Sequence, residues 1–173
     1  MEKNNITFRK AKTADTERIM DIIEQNKVLM WKAGNHQWDE NYPALVHIKD
    51  DIEKGVGYVM EQDGNVIAYA AVVFTGEPTY NKINGKWLSS IPYVVVHRLC
   101  VAPEMKGQGL AKRYMLQVEE MSKERGVFSC RVDTNYSNPA MLHIIQELGY
   151  TYCGEIEYNH GMRKAFEKLL NHQ

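Results

Sequence analysis

Gly107 and Gly109 stand two positions apart in VAPEMKGQGLAKRYM, residues 101–115, where an apolar run ends at Pro103 and an amphipathic stretch begins. Leu110, Tyr114, Val118 and Met121 fall on one face of a helix, so the two glycines mark its N-terminus. The first N–H groups of a helix have no partner within it and carry the positive end of its dipole. With no Cβ beside them, such groups are open to a phosphate, and Lys106 adds a cation. The same residues also describe an ordinary strand-to-helix turn, and spacing alone leaves both readings standing. Two familiar phosphate motifs are excluded. Nothing around Lys112 matches GxxxxGK[ST], and Lys112 stands where the third glycine of GxGxxG would fall.

His97 is the second group able to do chemistry. It interrupts YVVVHRLCV, residues 93–101, a β-branched run that reads as a buried strand. Alternation places it on the face of Val95, Leu99 and Val101, either as a general base or as a hydrogen-bonded core residue. Arg98 falls on the opposite face and reads as structural. Cys100, Cys130 and Cys153 are odd in number, far apart and without CxxC spacing, which argues against a disulfide framework or a zinc site. His36, His47, His143 and His160 show no ligand spacing, so no metal is expected. Asp39, Glu40 and Asp133 offer negative charge to a cationic amine, or are simply solvated.

These residues must be held by a scaffold, and the composition says of what kind. The 173 residues are 44% apolar and 25% charged, enough for one globular domain spanning 1–173, with no repeat or linker to divide it. Lys and Arg total 21 against 22 Asp and Glu, a net charge of −1, which gives no footprint for nucleic acid or an anionic membrane surface. No apolar run approaches the ~20 residues a membrane helix needs. The start, MEKNNITFRK, has no signal-peptide core, so a cytoplasmic protein is expected.

Along the chain, NITFRKA reads as a first strand. A helix follows from Thr13 as its cap to Gly34 as its stop, with a second short helix in ALVHIKDDIEKG. GYVMEQDGNVIAYAAVVF is a hairpin about Asp63-Gly64. After the run at 93–101 come a helix from Gly109 to Arg125, a strand VFSCRVDT, a helix from Asn138 to Leu148 and a strand YTYCGEI. GMRKAFEKLL fits strand or helix equally. The fold class is therefore mixed α/β.

VAPEMKGQGLA resembles the acyl-CoA-binding motif of the GCN5-related N-acetyltransferase (GNAT) superfamily, Arg/Gln-x-x-Gly-x-Gly/Ala. Lys106, Gly109 and Ala111 fill its positions, with Lys in place of Arg or Gln. NPAMLHIIQELGY is similar to the family's Asn-led helix ending in Leu-Gly-Phe, with Tyr150 for Phe, and the separation of the two blocks also fits. ITFRKAKTADTERI and QWDENYP resemble bacterial members, so the likeness spans nearly the whole chain. The resemblance implies a single-domain acyl-CoA N-acyltransferase fold, a mixed twisted sheet flanked by helices. Acetyl-CoA would lie where the fourth and fifth strands splay, YVVVHRLCV being the fourth and VFSCRVDT the fifth.

In that picture Leu99, Cys100 and Val101 pair with the pantetheine arm, which Asn138 meets from the other side. Lys106, Gly107, Gln108, Gly109, Leu110 and Ala111 hold the pyrophosphate. An acceptor amine would attack the thioester directly, with His97 taking its proton. The family's general-acid tyrosine falls at Ile145, which cannot donate a proton. Tyr136 or Tyr152 would then serve, the thiolate would leave unaided, or the protein would be a CoA-binding regulatory module without turnover. Trp31, Trp38 and Tyr42, with Trp87, would wall the acceptor site for a small amine or a peptide amino group, or else pack the core. Acceptor identity and acyl length are not legible here, and a homodimer is left open.

Overall fold

A computed structural model describes residues 5–158 and 161–171. The fold is mixed α/β: an eight-stranded, mostly antiparallel sheet with four α-helices. The strands are β1 (Ile6–Lys10), β2 (Gly57–Gln62), β3 (Asn65–Val73), β4 (Asn84–Gly85), β5 (Val94–Val101), β6 (Ser129–Asn135), β7 (Thr151–Tyr158) and β8 (Gly161–Leu169). The helices are α1 (Thr16–Lys32), α2 (Leu45–Glu53), α3 (Leu110–Glu124) and α4 (Pro139–Glu147). Hydrogen-bonded neighbours run β1-β2-β3-β5-β6-β8-β7-β4. The two-residue β4, not expected from the sequence, makes YVVVHRLCV and VFSCRVDT the fifth and sixth strands in chain order. His160 and the first four residues lie outside the described residues.

The chain divides into two compact units, the first comprising Met1–Val72 and His97–Met115. In it β1 and β3 flank β2, both antiparallel to it. The β2–β3 hairpin turns at Asp63 and Gly64, whose φ values of 51° and 84° belong to the primed turns that match strand twist. Ile19, Ile22 and Ile23 of α1 pack with Ile48, Val59, Tyr69 and Trp38 in one core cluster. The helix expected to start at a Thr13 cap begins differently. Thr13–Asp15 form a short 3-10 turn, and it is the Asp15 carboxylate that accepts the Lys12 N–H, at 2.8 Å. Its longer reach lets Asp15 also take two hydrogen bonds from Arg9, at 2.8 and 3.0 Å.

The second unit comprises Val73–Val96 and Leu116–Gln173. Here Val94 and Val95 pair in parallel with Cys130 and Arg131, while β6, β8 and β7 form antiparallel ladders. The ambiguous segment GMRKAFEKLL is a strand because ladders on both sides take up its backbone groups. Arg131 and Glu167 face each other in register as a buried ion pair, N–O 3.1 Å. Glu167 also accepts from Leu88 N–H, Ser89 Oγ and Ser129 Oγ. The Arg131 guanidinium lies over the rings of Trp87 and Tyr93.

Candidate active site

The turn from β5 into α3 is built within the first unit. Ala102 N–H is bonded to Ile67 C=O at 2.8 Å, which ends β5 against β3. Pro103–Met105 then form a 3-10 turn, tied to α1 by Arg18, which reaches Glu104 at 2.5 Å and the Val66 carbonyl at 3.1 Å. Gly107 and Gly109 follow with φ of 83° and 72°, a backbone region that L side chains rarely adopt. A Cβ built on either glycine would have nothing within 4 Å, so both face open space. The first helical bond runs from Arg113 N–H to Gly109 C=O, 3.0 Å, which leaves the Leu110 and Ala111 N–H groups ahead of the ladder. Burial pulls the Lys106 ammonium below its ordinary pKa, an effect the Cys100 sulfur opposes. One turn thus gathers a cation, the leading N–H groups of a helix and glycine backbone that faces open space, the elements from which anion sites are built.

Upstream, β5 carries the residues expected to meet the acyl end. Among the described residues its ladder to β6 covers Val94 and Val95, and Leu99, Cys100 and Val101 lie beyond it. The Val101 carbonyl accepts from Asn26 Nδ2 at 2.8 Å. Cys100 is buried, and burial pushes its thiol up to about 12, which removes it as a nucleophile.

Arg98 breaks the strand's regularity, with φ 61°, left-handed and not glycine. Such a residue costs roughly 1–2 kcal/mol. The period-two count that put His97 on the face of Leu99 and Val101 is not valid across it, and this corrects the sequence reading. What holds Arg98 is a three-point clamp: Nε and Nη2 donate to Asp51 at 3.1 and 2.5 Å, and Nη1 donates to Tyr42 Oη at 3.0 Å. Asp51 is 3% exposed and also accepts from Tyr69 Oη. Burial would lower the guanidinium pKa, but its interactions with Tyr42 and Asp51 outweigh it and hold it above the ordinary value. Sequence reasoning missed Asp51. The available signal was an acid placed three residues after Ile48, on the apolar face of a short helix.

The remaining sequence-level candidates are placed as follows. His97 is half-buried on β5. Trp38 is 6% exposed inside the core cluster, Tyr42 packs against that cluster, and Trp31 is 60% exposed with its ring on His36. Trp87 belongs to the second unit, where its Nε1 donates to the Tyr80 carbonyl. Asn138 is also in that unit, and its side chain accepts from Met141 N–H as the cap of α4. Ile145 is fully buried. Asp133, weighed as an amine attractor, is engaged by Tyr80, Tyr158 and Arg163. All three cysteines are free and buried. Among the described residues no cluster of metal-ligand type occurs, and no helix is long and apolar enough to cross a membrane.

Comparison with known proteins bears on this geometry. A family model described as the Acetyltransferase (GNAT) family matches residues 19–150. An acetyltransferase of the GNAT family from Streptococcus agalactiae 2603 is similar at 34% identity, 96% of each chain covered and a TM-score of 0.87. A GNAT-family acetyltransferase from Listeria monocytogenes 4b F2365 shares the fold at 21% identity, 95% of each chain covered and TM-score 0.77. So does yncA from Salmonella typhimurium, solved with its cofactor acetyl-CoA, at 17% identity, with 98% of this chain and 96% of that one covered and TM-score 0.68. No curated protein matches the sequence.

Proposed function

The chain belongs to the acetyltransferase (GNAT) family, and on that premise we propose that it moves an acetyl group from acetyl-CoA to a primary amine of a small molecule or peptide, by direct attack in a ternary complex. Acetyl-CoA-dependent acyl transfer is the family's chemistry; the acceptor class and the residue roles are our reading. Its main support is the turn at Lys106–Ala111, where bare backbone, leading helix N–H groups and one cation meet in open space. Acetyl-CoA, when bound, supplies an acetyl group activated as a thioester.

The protein's residues are assigned as follows. Lys106 and the N–H groups from Gly107 to Ala111 hold the diphosphate, and the backbone of Leu99–Val101 pairs with the pantetheine arm. A backbone N–H beside the kink at Arg98 polarises the acetyl carbonyl as charge develops on its oxygen. An alkylammonium has a pKa of roughly 10, so a proton must be removed before its nitrogen attacks, and His97 is the candidate acceptor. A new C–N bond forms as the C–S bond breaks, and the thiolate departs. Thiols have a pKa of roughly 8.5, so a thiolate leaves without a donor, and the buried Ile145 is compatible with turnover. Trp31 and Tyr42 remain the proposed acceptor-side aromatics, and Trp38 supports them from the core.

A second reading, a CoA-binding module without turnover, rests on Ile145 alone. Calorimetric titration with CoA, together with thiol release from acetyl-CoA over a panel of amines, separates the two. Binding with turnover supports the enzyme, binding without it supports the module, and no binding rejects both.

A further inference from the structure

We propose that Arg98 is a positioning residue whose clamp by Asp51 and Tyr42 keeps β5 in the kinked conformation that presents its backbone to the thioester carbonyl. The inference rests on the acetyl-CoA reading above. Its starting point is that an arginine with φ 61° has no local reason to be there. Asn or Asp can stabilise a left-handed residue by bonding to their own backbone, whereas arginine's fork reaches outward. The nearby Val94, Val95, Val96 and Val101 all favour extended backbone. A strained residue of this kind persists only where its surroundings over-determine it, and such residues collect at functional sites.

The surroundings do over-determine it. Asp51 on α2 takes two of the guanidinium's bonds, Tyr42 from the segment before α2 takes a third, and Tyr69 on β3 holds Asp51 from the other side. An ion pair serving stability alone would not require a kink in the strand that bears it. Here clamp and kink share one residue, between His97 and Leu99. Tyr42, one of the proposed acceptor-side aromatics, is held by the same guanidinium, so the clamp sets the acceptor side and the thioester side from one point.

The test separates the kink from the ion pair. Asp51→Asn removes the carboxylate that would otherwise be left buried and unpaired. In that background Arg98→Gly permits left-handed backbone at no steric cost without a clamp, and Arg98→Ala favours extended backbone. CoA affinity is measured by calorimetry, and the infrared carbonyl stretch of bound [1-13C]acetyl-CoA reports polarisation of the thioester. Both double variants are expected to bind CoA within about threefold of the wild type, because Lys106–Ala111 are untouched. The glycine variant keeps most of the wild-type downshift of the carbonyl band, while the alanine variant loses it, with kcat lower by about 100-fold and KM for acetyl-CoA little changed.

Identical carbonyl bands in the two double variants overturn the inference. So does Tyr42→Phe, a single-atom change safe for folding, if it leaves band and kcat at wild-type values. A wild-type protein that binds CoA but shows no downshift overturns the inference alone, whereas one that does not bind CoA overturns the acetyl-CoA reading beneath it.

Discussion

Lys106 and Gly109 would contribute different things to the proposed cradle, and substitutions can take them apart. With φ of 72°, Gly109 pays a conformational penalty on replacement by valine whatever binds there, so that variant confounds folding with recognition. Asparagine tolerates the same region, and its side chain would enter space that holds nothing within 4 Å of a Cβ. Gly109→Asn is therefore expected to keep its denaturant midpoint close to wild type and to lose about tenfold or more in CoA affinity by calorimetry; unchanged affinity would remove the cradle from this turn. Lys106→Glu, on a partly exposed side chain, is expected to cost about three- to tenfold in the same titration. The two glycines were legible in the sequence because left-handed backbone selects for their residue type. Arg98 was not. Its letters, set among β-branched residues, spell an extended strand, and what bends it is a carboxylate 47 positions away.

At the scale of elements, close contacts decide what can be changed. β4 is only two residues long, yet a Cβ on Gly85 would lie 2.2 Å from the Cys153 carbonyl oxygen, and one on Gly154 would lie 2.3 Å from that of Asn84. Both obstacles are backbone and cannot rotate away. Gly154→Ala should unseat β4, expose the Lys86 amide that bonds to Cys153 C=O, and cost about 1–3 kcal/mol, read by denaturant unfolding and by hydrogen exchange at Lys86. Such a strand leaves no hydrophobic period to find, which is why it was missed, whereas the Asp63-Gly64 hairpin announced itself through its turn residues. β8 was ambiguous for another reason: its period fits two structures, and only the ladders to β6 and β7 choose. At the start of α1, Arg9 holds the Asp15 carboxyl below the usual carboxylate range, chiefly through their hydrogen bonds. A depressed folded pKa stabilises above the unfolded value, near 4, and that contribution is lost as pH falls through the folded one. Asp15→Asn should thus lower stability by about 1 kcal/mol at neutral pH and flatten its decline below about pH 4, followed by urea midpoints against pH.

For the molecule as a whole, a net charge of −1 supplies no long-range field for an anionic nucleotide, so recognition of one has to come from a local, built site. The first unit carries both parts proposed for such a site: the Lys106–Ala111 turn, and the β5 segment that starts at His97 and holds the Arg98 clamp. The fold was readable from the chain because it depends on local period and on glycine at turns, and the proposed cofactor motif rests on the same two signals. The acceptor side was not, since aromatics such as Trp38 look alike in letters whether they line a site or fill a core. A ligand that binds only the folded chain adds stability by mass action, about 2.7 kcal/mol at a hundred times its dissociation constant. In a protein of 173 residues each kcal/mol moves the melting temperature by roughly 2–4 °C. Acetyl-CoA at that excess is therefore expected to raise Tm by about 5–11 °C in a calorimetric scan. Lys106→Glu at the same ligand concentration should show a smaller rise, because the ligand is then a smaller multiple of its dissociation constant. A wild-type melting curve indifferent to acetyl-CoA would mean that this scaffold, whatever its family, no longer holds the family's cofactor.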